Sequence, residues 1–118
     1  MLTYVMESKQ AYEEGKLSVA QYVEELLWKF YNKAVDKPGH QISGIKALLV
    51  LTKQKGLGSA IKKKHIHKQA GFPPNYSHCG MWGPVQSGIV EQLKAPERYR
   101  IRPQFYQAIE ETLRKRGW

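Results

Sequence analysis

Gly83-Pro84 divides this chain by hydrophobic period. Before it, apolar residues recur at the three-and-four spacing of helices; after it they first fall in short runs of extended type and regain helical spacing only from Pro103. A chain punctuated this way folds as short helices followed by a hairpin and a closing helix. The firmest helix is predicted over 18–34. Ser18 and Gln21 form a capping box, and Val19, Val23, Leu26, Leu27, Phe30 and Ala34 share one face. Tyr22, Trp28 and Tyr31 fall at or beyond the edge of that face, and their aromatic surface points to a second contact, a dimer partner. Pro38-Gly39 stops this helix, and a weaker one is predicted over 3–14, ended by Gly15.

Further along, Ile45, Leu48, Leu49 and Thr52 predict a helix over 43–55, buried on most sides and ended by Gly56 and Gly58. Ser59 is the expected cap of a short polar helix over 60–69, with Ile61 and Ile66 facing inward and Ala70-Gly71 closing it. Phe72-Pro73-Pro74 opens another helix over 74–82, in which Met81 and Trp82 are expected in the core. Ile89 to Leu93 and Tyr99 to Arg102 read as two strands around the turn Lys94-Ala95-Pro96-Glu97. Pro103 then starts an amphipathic helix carrying Phe105, Ala108, Ile109 and Leu113, which ends at Gly117. The fold class is mostly α with a small β-hairpin, in one domain of 118 residues.

Charge separates the halves further. Residues 1–50 hold six lysines and six acids and are neutral, so the entire net charge of +9 belongs to residues 51–118. There, Glu91, Glu97, Glu110 and Glu111 face thirteen Lys and Arg residues. A polyanion is the natural partner of such a half. Several other classes are excluded. The single Cys79 cannot make an internal disulfide, the apolar run Ala47–Leu51 is too short to cross a bilayer, and Met1-Leu2-Thr3 has no signal-peptide character. A cytoplasmic protein without membrane contact is expected.

Neither metal nor catalysis finds a suitable set of side chains. His65, His67, His78 and Cys79 match no common zinc spacing and lack a second cysteine pair, so no metal or other cofactor is expected; His65 and His67 read as surface residues of a basic helix. Cys79 and His78 are adjacent, and on a helix they point about 100° apart, too far to share a proton readily. The acid pairs Glu13-Glu14, Glu24-Glu25 and Glu110-Glu111 are sequential rather than convergent, and Gly56-Leu57-Gly58-Ser59 lacks the lysine of a phosphate-binding loop. An enzyme is not expected.

Three stretches resemble the winged helix-turn-helix family of DNA-binding proteins. Ile66-His67-Lys68-Gln69-Ala70-Gly71-Phe72 is similar to the reversal between the paired helices, Ser87-Gly88-Ile89-Val90-Glu91 to the entry into the wing, and Tyr99-Arg100-Ile101-Arg102-Pro103-Gln104-Phe105 to its return. The resemblance spans residues 43–113 and leaves 1–38 as an N-terminal helical extension suited to dimerisation through Tyr22, Trp28 and Tyr31. It implies sequence-specific binding of double-stranded DNA by a homodimer acting as a small transcriptional or plasmid/phage-type regulator. Asn75, Tyr76, Ser77 and His78 would read bases, while Lys62, Lys63, Lys64, Lys68, Lys94, Arg98 and Arg100 would meet phosphates. Six such phosphate contacts imply a log-log salt slope of about −5. Gly80, Gly83 and Pro84 depart from the unbroken reading helix of the family, and Cys79 to Trp82 is more apolar than a reading surface. Two alternatives therefore stand beside it: a basic domain associated with RNA or the ribosome, and a winged-helix module that makes protein contacts only.

Overall fold

The computed structural model describes residues 3–33, 40–56, 58–72, 80–94 and 97–117. Six helices and three short strands follow in the order α1 (Thr3–Glu13), α2 (Val19–Lys33), α3 (His40–Lys55), β1 (Ile61–Lys62), α4 (Lys63–Ala70), α5 (Trp82–Gln86), β2 (Val90–Leu93), β3 (Arg98–Ile101) and α6 (Pro103–Arg116). The protein is mostly helical with a small antiparallel sheet in the order β1-β3-β2.

The capping box forms as its sequence predicts. Gln21 N–H donates to Ser18 Oγ at 3.1 Å, and Ser18 N–H donates to Gln21 Oε1 at 2.8 Å. Gly71 ends α4 with φ +76° and Gly117 ends α6 with φ +71°, left-handed conformations that glycine adopts without strain. Pro103 opens α6, where a missing N–H costs nothing.

The sheet has one strand more than the sequence pattern predicts. Ile61 and Lys62 do not belong to a helix starting at residue 60; they pair with Tyr99 and Arg98 of β3. Two residues are too few for a period to register. What holds them extended is burial of Ile61, 1% exposed, and the ladder to β3. Ser59 is accordingly not a cap for α4: its hydroxyl donates back to the Lys55 carbonyl at the end of α3, at 2.9 Å. Helix α3 also begins at His40, three residues before the predicted start, and exposes Val50.

Most of the predicted helix over 74–82 lies outside the described residues. Its last part is not continuous helix, because Gly80 has φ +77° and a separate short helix, α5, starts at Trp82. Pro84 fits within α5 because it occupies the first turn, where amide protons have no intrahelical acceptor. Met81 is in the core as expected, but Trp82 is 51% exposed and so is not a core residue.

A contiguous core is built from every layer: Val5 of α1, Val23, Leu26 and Leu27 of α2, Ile45 and Leu48 of α3, Ile66 of α4, Ile101 of β3, and Phe105 and Ile109 of α6. Tyr22 belongs to it as well, with no exposed surface, and this removes it from any dimer-facing surface. The reason is geometric: Val19, Tyr22, Val23 and Leu26 form an i, i+3, i+4, i+7 set, so Tyr22 lies on the apolar stripe rather than beside it. Its ring stacks on Tyr12 with centroids 4.5 Å apart and meets Phe105 at 6.2 Å. Its hydroxyl donates to the buried Ser87 carbonyl at 2.7 Å.

Burial, with the charge of Glu13 adding to it, raises the Tyr22 phenol above its ordinary value. A raised folded-state value contributes stability that is complete below the unfolded value, about 10, and is lost as pH rises above it. Tyr22→Phe should cost about 1–2 kcal/mol in urea unfolding at neutral pH, because the Ser87 carbonyl loses its donor. The same variant should lose less stability than the parent chain between neutral and strongly alkaline pH, and an equal alkaline loss in both would refute the assignment.

Candidate functional site

The outer face of the sheet and the exposed face of α4 carry several of the cations that have no ion pair among the described residues. Side chains alternate across β3, so Tyr99 and Ile101 go into the core while Arg98 and Arg100 are partly exposed. Cross-strand partners share a face. Lys62 therefore lies directly opposite Arg98, and Glu91 opposite Arg100. On α4, Ile66 is buried, while Lys64 and Lys68, one turn apart, are exposed beside His65 and Gln69. Lys94 is exposed at the end of β2.

Ion pairing divides these cations into two sets. Lys62, Lys64, Lys68, Lys94 and Arg98 have no carboxylate within 4.0 Å among the described residues, and Arg98 Nε is buried without a hydrogen-bond partner. Two others are already engaged. Arg100 Nε donates to Glu91 Oε2 at 2.7 Å, with Nη2 also 2.7 Å from that oxygen, and Lys63 Nζ lies 3.7 Å from Glu97 Oε2. Asn75, Tyr76, Ser77 and His78 lie outside the described residues.

Glu97 is the centre of a node that residue spacing alone does not reveal. Tyr99 Oη donates to Glu97 Oε1 at 2.6 Å, Gln92 Nε2 donates to the same atom at 3.0 Å, and Lys63 N–H donates to the Glu97 carbonyl at 3.3 Å. The Tyr99 hydrogen bond, with the Lys63 charge and the Gln92 hydrogen bond adding to it against some desolvation, holds the Glu97 carboxyl below the usual carboxylate range. The start of α4 is thus tied to the start of β3. The available sequence signal was the register, since Gln92 is the cross-strand partner of Tyr99.

The basic end of α6 is occupied internally. Lys115 and Arg116 reach Glu24 of α2 at 3.5 and 2.8 Å, and Arg114 and Lys53 share Glu110. The Arg116 hydrogen bond and the Lys115 charge hold Glu24 below its ordinary value. Arg116 also lies over the Trp28 ring, 5.0 Å from its centroid, in a groove of 350 Å³ that includes Leu17, Gln21 and Glu25. Trp28 remains 46% exposed. For Tyr31, the side chain lies outside the described residues.

His67 departs from its expected place on the surface. It is half-buried, with its ring 5.4 Å from that of Phe72, whereas His65 is exposed. No group of three or more metal-ligating side chains converges among the described residues, and no described helix is long and apolar enough to cross a membrane. Comparison with protein-family models, curated proteins and solved structures finds no significant match to this chain.

Like charges directly opposite one another on neighbouring strands oppose the fold. Lys62→Thr, which removes one of them and places a β-branched residue in a strand, should raise stability by about 0.5 kcal/mol in urea unfolding. A loss of that size would show that Lys62 supports the sheet rather than burdens it.

Proposed function

We propose that this chain is a winged helix-turn-helix protein that binds double-stranded DNA in a sequence-specific way, as a small transcriptional or plasmid/phage-type regulator. One observation carries the reading: Lys62 and Arg98 are direct cross-strand neighbours with no carboxylate at either among the described residues, in a chain whose whole excess charge lies in the same half. An external anion would relieve that opposition, and α4 adds Lys64 and Lys68 to the same basic half. The order α3-β1-α4-α5-β2-β3-α6, with the late hairpin pairing back onto β1, supports the fold part of the proposal. In this reading α4 is the first helix of the pair and β2-β3 the wing. The base-reading role stays assigned to Asn75, Tyr76, Ser77 and His78.

Trp28 carries the dimer part of the proposal, its exposed half supplying apolar surface to a two-fold partner. Trp82, exposed within the basic half, favours a second reading in which the same module contacts a protein instead.

Selection of bound fragments from a random duplex library should recover a near-palindromic site, and duplex DNA should outcompete structured RNA at matched salt. With five of the seven candidate cations uncompensated among the described residues, the log-log salt slope should be about −4.5. Reversing Lys62, Lys64 and Lys68 to Glu should weaken binding on all sequences and flatten the slope by at least about 2.7, whereas Asn75→Ala should change sequence preference. Absence of any nucleic-acid binding at low salt would select the protein-contact reading. Light scattering at micromolar concentration should give a dimer, and a strict monomer would end the two-fold part.

A further inference from the structure

The acids of the sheet are positioned where an external phosphate would be expected. Residues 51–118 have only four acids, and two of them, Glu91 and Glu97, sit on the hairpin, each against a cation of the candidate surface. Their geometries differ. Arg100 and Glu91 are cross-strand partners joined by a short hydrogen bond within a close ion pair, an arrangement that fixes the arginine on the sheet. Lys63 and Glu97 are separated by 3.7 Å, with both side chains substantially exposed, so this pair is loose and replaceable. The Glu97 carboxylate does not depend on Lys63 for its place, because Tyr99 and Gln92 hold its other oxygen. Lys63 is also the first residue of α4, and Lys62 and Lys64 flank it.

From this we infer that Glu97 is a built-in competitor for the phosphate backbone: its carboxylate occupies Lys63 in the free protein and is displaced from it when nucleic acid docks. The inference rests on the DNA-binding reading above and adds regulation to the same surface. Exchange of Glu97 for phosphate replaces one ion pair with another and leaves Glu97 anchored by Tyr99 and Gln92, close to the incoming anion. That residual negative charge weakens attachment to every sequence alike, whereas base contacts are unaffected. The device therefore lowers non-specific affinity and leaves the specific contacts to decide where the protein remains bound.

The test uses the full chain and a fluorescein-labelled mixed-sequence DNA duplex, with anisotropy titrations across a salt series. Glu97→Gln keeps an acceptor oxygen for Tyr99 and removes the charge. It should bind about two- to five-fold more tightly at moderate salt, the worth of an exposed ion pair. Tyr99→Phe loosens the node while keeping the charge, and should not bind more tightly. Unchanged or weaker binding by Glu97→Gln, when the parent chain binds, would overturn the inference. So would a Tyr99→Phe variant that tightens binding equally, because loosening of the hairpin would then explain both. If the parent chain does not bind the duplex at all, it is the DNA-binding reading that fails, and this inference falls with it.

Discussion

The fold converges on one side chain. Tyr22 stacks on Tyr12 of α1, meets Phe105 of α6, and donates its hydroxyl to the carbonyl of Ser87 in the turn between α5 and β2. A tyrosine suits this place because its ring fills apolar volume while its hydroxyl satisfies a buried carbonyl that phenylalanine would leave short of a partner. Ser87 completes the arrangement by donating its own hydroxyl to the Pro84 carbonyl. The entry into the sheet is therefore referenced to α2, and the N-terminal helices are integral to the core rather than appended to it. Positions on the basic face inherit their accuracy from this contact.

Electrostatics and packing are arranged separately in this molecule. One acid of the N-terminal half, Glu24, faces the molecule's own basic tail and takes Lys115 and Arg116, with Arg116 covering part of Trp28, while Glu14 and Glu25 pair with Lys16 and Lys29 of their own half. The sheet instead keeps Lys62 and Arg98 uncompensated at opposed positions. Thus the +9 of the sequence is distributed over surfaces of different character: an end of α6 that docks internally, and a sheet-and-helix face that remains open to an anion. Trp28 belongs to the first of these, which limits how much of its ring a partner can cover.

Elements with several repeats of a period were legible in the sequence. The capping box of α2, the glycine ends of α4 and α6, the hairpin and Pro103 all left local signals, and the structure has them within a few residues of the predicted places. Where structure and sequence pattern differ, the determinant is tertiary at β1 and local at Tyr22. A two-residue strand such as β1 has no period, and only pairing with β3 defines it. Tyr22 lies on the apolar stripe rather than at its edge, because its spacing from Val19 and Leu26 puts it there. Trp82 has the burial tendency of a core residue, yet Gly80 has a left-handed φ and α5 begins with Trp82 outward. The candidate cations were all visible as residue types; which of them were already paired was not, because Glu97 and Lys63 are brought together only by folding.

The pairing of α2 with α6 also has a bearing on synthesis. These two helices make the most extensive helix contact in the molecule, yet most of the chain separates them, and α6 follows every other described element. On a ribosome, the apolar face of α2, with Val23, Leu26 and Leu27, is complete long before its partner emerges. Contacts this distant in sequence are made late and slowly. The expectation is that nascent chains arrested before Pro103 remain protease-sensitive in α2 and engage holdase chaperones, and that protection arrives in one step once α6 has cleared the exit tunnel.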